Sequence, residues 1–469
     1  MGRVDALKRE VKRVVGRVGA AVSSDAITRI ARSGYFRVED IGWISDSYFK
    51  QGTGTGTPWD ALRHAHLELP GWFQPGLDPW SDDYAAQQHR LWQLMSGIER
   101  PYVPDTDEKE QHWGDIDPIR SPGYFARRDA GAVVAAADQL LATGMILKHS
   151  GLQPGGWALE YGAGFGQTAL AFARLGVNVD TVDISSTFCD FVRRQAEFFQ
   201  VPLTPFAGHF GVSPRPGQKY DLIWFYESFH HSVDFQQVVH RVREQLAEGG
   251  CVILGGEPIV EREYAAVPYP WGLRLHSEVA AVVRRQHWFE LGFSEDFLVD
   301  LFVNAGFVAE RIDCPPSLFG RLYIFRARPA EIHLGRHWLP TLAQGQWHGA
   351  EPDGRWTTGE ARLPVDAVGE AAAIELDLSN HHASALKVEI DYGGARRTVE
   401  LAAGEQRTVR CATVPGARAL SLRCQARRLT LVERLRGGDR RALGVFVRRL
   451  RYVESELPTL TQRVPETAK

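Results

Sequence analysis

The chain has 469 residues, 44% of them hydrophobic and 24% charged, with a formal net charge of −3. That length predicts two or three domains, and the near-balanced charge gives no reason to expect a nucleic-acid partner. No apolar run reaches the ~18 residues needed to span a bilayer, no signal peptide is visible, and five cysteines without CxxC spacing argue for reduced thiols in a cytoplasm and against a zinc site.

The first twenty residues place Val4, Leu7, Val11, Val14, Val15 and Val18 at helical spacing, with Arg3, Lys8, Arg9, Lys12, Arg13 and Arg17 between them. They predict a basic amphipathic helix packed on the body or on another copy of the chain, or lying on a membrane surface. Residues 52–57 alternate glycine and threonine as a phosphate loop would. No strand precedes them and Pro58 follows, so a flexible turn is expected. Residues 1–122 read as a helical and irregular region that covers an active site.

From 123 to 330 strands and helices alternate, as a doubly wound α/β sheet requires. Helices are expected over 131–149, 167–175, 186–199, 234–247 and 295–305. Strands are expected over 157–161, 178–183, 203–207, 221–226, 250–256, 307–312 and 321–327. Between the first strand and its helix lie Glu160, Gly162, Ala163, Gly164, Gly166 and Gln167, with a glycine at every second position. The second strand ends in Asp183 and Ile184. Glycines allow a tight turn and close approach of a ligand. An acidic strand end can accept hydrogen bonds from both hydroxyls of a ribose. Together these define an adenosine-type cofactor site. A nicotinamide frame, G-x-G-x-x-G, needs glycine where Gln167 stands. Glu160 would also repel a phosphate, whereas it suits a cationic amino group.

The run E-x-G-x-G-x-G followed by Asp183 resembles the Rossmann-like S-adenosylmethionine-dependent methyltransferases. The resemblance implies S-adenosylmethionine as cofactor, held by the loop residues Glu160 to Gln167, by Asp183 and Ile184, and by Tyr226 at the end of the fourth strand. It also implies a seven-stranded sheet closed by the hairpin 307–312 and 321–327. Many members place an aspartate at the end of the third strand to read the adenine. This chain has Ala207-Gly-His-Phe210 there, so His209 or Phe210 is the substitute. Tyr124, in Ser121-Pro-Gly-Tyr-Phe125, sits where such enzymes close over the methionine end.

The fourth strand runs into Asp221-x5-Glu227-x2-His230-His231, a pattern that resembles the fourth motif of polysaccharide-linked methyltransferases. Ligands lie at the carboxyl ends of such strands, so Glu227, His230 and His231 are the catalytic candidates. Histidine is the usual base at neutral pH for deprotonating an alcohol, and either His231 or His230 fills that role. Glu227 orients a histidine or joins it on a metal. A hard divalent ion needs several oxygen ligands and only Glu227 and Glu257 are obvious donors, so no metal is expected. Residues 257–294 form an insertion whose Glu257, Trp271, Arg274, Trp288 and Glu290 suit a sugar acceptor. The same aromatics suit the core of an inserted lid.

Past Pro329, alternating stretches such as Ala373–Leu378 and Leu386–Asp391 predict a β-sandwich over 335–455, followed by a tail at 456–469. With Trp347, Glu351, Arg355 and Trp356 it resembles a domain appended to bacterial glycosyltransferases and methyltransferases of surface-polysaccharide synthesis. The expected function is O-methylation of a sugar hydroxyl in O-antigen or capsule synthesis. The expected location is the cytoplasm or the inner face of the plasma membrane. The expected partners are a saccharide acceptor and a glycosyltransferase, with a homo-oligomer also open. The rivals are a nicotinamide-dependent sugar-nucleotide enzyme, which lacks its Tyr-x-x-x-Lys pair here, and a non-catalytic glycan- or glycosyltransferase-binding scaffold.

Overall fold

The computed structural model describes residues 24–51, 59–108, 116–261, 267–268, 270–335, 346–369, 371–428 and 441–454. The basic N-terminal helix, the 52–57 turn and the tail 456–469 lie outside the described residues. The chain divides into two compact units: 1–298 with 311–326, and 299–310 with 327–469.

The N-terminal region is more regular than its composition suggests. It holds α1 (Ser24–Ser33), α2 (Ile41–Asp46) and α3 (Asp82–Ser96), the last capped by the Ser81 hydroxyl accepting from the Tyr84 N–H and ended by Gly97 in the left-handed conformation. α4 (Ala130–His149) follows, capped by the Asp129 carboxylate on the Ala132 N–H. By length and composition alone α4 is apolar enough to cross a membrane, although Asp138 and Gln139 divide its apolar run. Its Ile146 is fully buried in the core of the sheet, and its Thr143 hydroxyl lies 3.0 Å from that of Thr168.

The sheet then unfolds nearly as expected: β1 (Trp157–Tyr161), α5 (Gln167–Ala173), β2 (Asn178–Asp183), α6 (Ser186–Phe199), β3 (Leu203–Ala207), β4 (Tyr220–Tyr226), α7 (Phe235–Gln245) and β5 (Leu246–Gly255). After an insertion come α9 (Glu295–Asn304), β9 (Phe307–Ile312) and β10 (Leu322–Ala327). The strand order is β9-β10-β5-β4-β1-β2-β3; β1 to β5 pair in parallel and β10 runs antiparallel to β5. Strands covered on both faces must be apolar throughout, and Leu222, Ile223, Trp224 and Phe225 are all fully buried. One boundary differs. β5 starts at Leu246, four residues before the expected strand, and the expected helix end becomes strand. Gly250 permits this, because a Cβ there would stand 2.9 Å from the Tyr220 carbonyl oxygen.

The insertion carries β6 (Ile259–Val260), β7 (Trp271–Leu273), α8 (Ser277–Gln286) and β8 (Leu291–Ser294); its three strands form a small sheet in the order β6-β8-β7. This insertion is welded to the N-terminal region. The Tyr84 hydroxyl donates to the Trp271 carbonyl, the Trp271 indole N–H to Pro79 O, the Trp92 indole N–H to His287 O and the Ser277 hydroxyl to Leu62 O.

Among the described residues the second unit contains two larger antiparallel sheets and a two-stranded one, Arg427–Arg428 with Ala442–Leu443. β11 (Glu331–His333), β12 (Arg355–Trp356), β14 (Ala371–Ser379), β17 (Gln406–Ala412) and β19 (Phe446–Glu454) form one larger sheet; β13 (Glu360–Pro364), β15 (Leu386–Tyr392), β16 (Ala395–Leu401) and β18 (Ala419–Cys424) form the other. β15 alternates buried Leu386, Val388, Ile390 and Tyr392 with exposed Lys387 and Glu389, the period of a half-buried strand. Trp347 and Trp356 are buried, the Trp347 indole N–H donating to Arg362 O.

Candidate active site

The glycine loop turns between β1 and α5 with Gly162, Gly164 and Gly166 all at positive φ. A Cβ on Gly162 would stand 2.5 Å from the Ser228 Cβ, so the loop presses on the end of β4. A Cβ on Gly164 would meet nothing within 4 Å; there the loop borders open space. The Gly166 N–H donates to Ala163 O and closes the turn. Asp183 is buried at the tip of β2. Its carboxylate accepts from the Gly164 N–H and the Ser185 N–H, both at 2.9 Å. Beside it Ile184 exposes an apolar side chain.

Glu160 is buried under the loop. One oxygen accepts from the Trp224 indole N–H at 2.8 Å; the other is buried with no partner among the described residues. Burial pushes its carboxyl up to about 8, with Asp183 adding to the rise. An orphaned buried acceptor beside an open glycine loop fits a cationic amino group, and Asp183 with Ile184 fits a ribose and the face of a base. The residues present therefore fit S-adenosylmethionine. Gln167 adds a tether: its side-chain N–H donates to Pro122 O at 3.1 Å, holding Tyr124 and its neighbours against the loop.

At the end of β3 the outcome is mixed. His209 is half exposed and sits 3.1 Å from Asp105, a residue of the N-terminal region. Phe210 is wedged edge-on against Tyr161 and Phe225.

Beyond β4 the backbone bends sharply. Glu227 has φ +50, a left-handed conformation that a non-glycine residue adopts only when its surroundings enforce it. Its N–H donates to Gly255 O, and its carboxyl bonds the Tyr226 hydroxyl. Burial, then the nearby Glu257 charge, push Glu227 up to about 7. The turn that follows carries both histidines.

Glu257 does not face a substrate, contrary to the sequence reading. One oxygen accepts the Ser228 and Phe229 N–H groups, both at 2.9 Å. The other accepts the His230 N–H at 3.1 Å and lies 2.8 Å from His230 Nδ1. Burial alone would raise its carboxyl, but His230 and these donors outweigh burial and hold it below the ordinary value. Glu257 is the anchor of the histidine turn. His230 is buried, its Nε2 3.5 Å from Glu290, so both its nitrogens face carboxylates.

His231 differs. Its ring lies 4.4 Å from that of His230 and 5.5 Å, edge-on, from Trp288. Its side chain keeps 21% of its surface. Nδ1 is sealed from solvent and has no hydrogen bond among the described residues. Burial and the neighbouring His230 lower its basicity, so the ring is neutral at pH 7.

Two further substrate candidates are corrected. Trp271 is 3% exposed and packs with Tyr84, Phe235 and Phe297; it is core. Arg274 is paired with Glu290, whose carboxyl is held down by Arg274 and the two histidines against the upward pull of burial. Among the described aromatics of the insertion, Trp288 borders His231. His230, His231 and Glu290 offer donor atoms within 4.8 Å of one another, a spacing that a metal ion could use. The guanidinium of Arg274 already occupies the Glu290 carboxylate and opposes a second cation there. Glu108, absent from the sequence reading, also reaches the cluster. Its Oε2 lies 3.9 Å from His231 Nδ1.

A doubly wound sheet in this order, with a glycine loop and an acidic tip on the next strand, is suited to hold a nucleoside. Residues 158–250 match the family model described as a methyltransferase domain. The enzyme is an S-adenosylmethionine-dependent methyltransferase, and S-adenosylmethionine is its cofactor. Similar solved structures include the YcgJ protein of Bacillus subtilis, at 19% identity over 37% of this chain and 70% of that one, TM-score 0.30. The CcbJ methyltransferase from Streptomyces caelestis is similar at 19% identity over 41% of this chain and 90% of that one, TM-score 0.31. A TehB-like SAM-dependent methyltransferase from Corynebacterium glutamicum is similar at 15% identity over 45% of this chain and 100% of that one, TM-score 0.30. No curated protein matches the chain.

Proposed function

We propose that the enzyme O-methylates a sugar hydroxyl during bacterial surface-polysaccharide synthesis, with His231 as the base. The observation that carries the chemistry is the partly exposed His231 imidazole, its Nδ1 buried, on the turn that presses against the glycine loop. S-adenosylmethionine supplies an electrophilic methyl group. Asp183, Ile184 and the loop hold its nucleoside, and Glu160 receives its amino end. His231 Nε2 takes the acceptor hydroxyl proton as the oxygen attacks. His230, locked by Glu257, fixes the turn on which His231 stands. Trp288 borders His231 and offers the aromatic face that suits the C–H surface of a sugar.

The polysaccharide assignment draws further support from the motif Glu227-x2-His230-His231 and from the two larger antiparallel sheets of the second unit, read as a docking sandwich for the glycan or a glycosyltransferase. A place in the cytoplasm, at the inner face of the membrane, fits assembly of such glycans. The test is mass spectrometry of surface polysaccharide from cells with and without the gene. Loss of a methyl group from the glycan is expected, and an identical glycan would refute the saccharide assignment. Thermal shift with S-adenosylmethionine, S-adenosylhomocysteine and NAD separates the rivals: a response to NAD alone favours the nicotinamide enzyme, and no response at all favours the scaffold.

A further inference from the structure

We infer that Glu108 is the positioning carboxylate of His231, so that the N-terminal region supplies part of the proton-transfer machinery. The inference rests on the reading of His231 as the base. Glu108 follows the short helix Pro104–Asp107, more than 120 residues before the histidines in the chain, and its two oxygens do different things. Oε1 accepts the Tyr102 hydroxyl at 2.5 Å and the Phe289 N–H at 3.0 Å. Those bonds fix the carboxylate plane and leave Oε2 facing His231 Nδ1 at 3.9 Å. That nitrogen is sealed from solvent and has no hydrogen bond. Among the described residues, the carboxylate paired with Nδ1 is that of Glu108.

The charged and titratable groups around His231 come from three elements. His230 shares its turn; Glu290 and Arg274 come from the insertion; Glu108 comes from the N-terminal region. Arg274 and Glu290 neutralise each other, and His230 is held by Glu257. Glu290 and then Glu108 favour a positive charge on His231, against burial and His230, and Glu108 does so from the Nδ1 side. In the reaction the acceptor O–H bond breaks and the proton goes to Nε2, while the methyl group passes from sulfur to oxygen. The new positive charge spreads to Nδ1–H, and a movement of about 1 Å brings that donor into hydrogen-bond range of Oε2. A base needs its other nitrogen oriented by an acceptor, and this geometry provides it.

The test is ring-nitrogen NMR of the full chain with labelled histidine, following His231 against pH, with His231→Ala used to assign its signals. Glu108→Gln keeps an oxygen for Tyr102 and Phe289 but turns an amide toward Nδ1. Removing an opposite charge at this distance should lower the His231 midpoint by about one pH unit, and Glu108→Asp should lower it less. Melting temperature and S-adenosylhomocysteine affinity should stay within error of the wild type, which a merely structural loss would not allow. With isolated surface glycan as acceptor, turnover in Glu108→Gln should fall at least about tenfold, with the acidic limb of its pH profile displaced in the same direction as the NMR midpoint. An unchanged His231 midpoint overturns the pairing. If His231→Ala retains turnover, the base assignment fails and the positioning role fails with it, whatever the NMR shows.

Discussion

Glu257→Ala should destabilise the methyltransferase unit more than any other change at the site. The carboxylate is 1% exposed and satisfies three successive backbone N–H groups as well as His230 Nδ1. Alanine leaves all four donors unpaired in a place that water does not reach. A hydrogen bond to a charged group contributes about 1.5–3 kcal/mol, but the four share one anion and are not additive. Breaking a buried charge pair costs about 3–5 kcal/mol. A loss near 4 kcal/mol is roughly a thousandfold in the folding equilibrium. At ~2–4 °C per kcal/mol for a domain of this size, the melting temperature should fall by about 8–16 °C. Glu257→Gln keeps one acceptor and should lose less. The sign with pH follows from the depressed carboxyl of Glu257. A group whose folded value lies below its unfolded one stabilises fully above the unfolded value, ~4.3, and loses that contribution as the pH falls through the folded one. The gap between wild type and Ala variant should therefore be constant from pH 8 to 5 and close below about 4. Calorimetry across that range decides it. Equal melting at pH 7, or a gap that persists unchanged into acid, refutes the anchoring role.

Other changes read other parts of the site. Asp183→Ala and Gly164→Val should each weaken S-adenosylhomocysteine binding at least tenfold by calorimetry, the first by removing a charged acceptor and the second by filling the space beside the loop; unchanged affinity in both would displace the cofactor site. His231→Ala should lower turnover by roughly 10²–10⁴ with little change in cofactor affinity, and chelation should leave the wild type active. Activity lost on chelation and restored by a divalent ion would assign His230, His231 and Glu290 to a metal instead. Glu160→Gln should flatten the dependence of stability on pH in the cofactor-free protein. Wild type, with its carboxyl pushed up to about 8, loses stability as pH rises from the unfolded value of ~4.3 toward 8, and the amide does not titrate.

The parts of this molecule that were readable from sequence are those whose causes are local. The glycine loop, the acidic strand tips and the apolar runs of β1 to β5 are set by residues a few positions apart, and a doubly wound sheet reuses that pattern in chain order. The histidine pair was legible for the same reason. Trp271 stayed open between sugar contact and lid core because an aromatic side chain in an insertion looks alike whether it meets a ligand or a neighbour; Tyr84, Phe235 and Phe297 decide for core, and they lie in three other elements. Glu257 was misread because its partners are backbone N–H groups, which every sequence has and no sequence marks. The early start of β5 depended on the Tyr220 carbonyl pressing against Gly250, again a contact between strands.

Glu108 follows from the same division. Nothing near it in the chain signals chemistry, and its value comes only from where Tyr102 and the Phe289 N–H hold it. Those two contacts belong to the seam between the N-terminal region and the insertion, which also includes the Tyr84–Trp271, Trp92–His287 and Ser277–Leu62 bonds. A lid that opened freely would break those bonds and carry Glu108 away from His231. The insertion is therefore braced by the N-terminal region. Inside it Arg274 is paired with Glu290, and a neutral hydroxyl is the nucleophile that the proposed His231 base would activate.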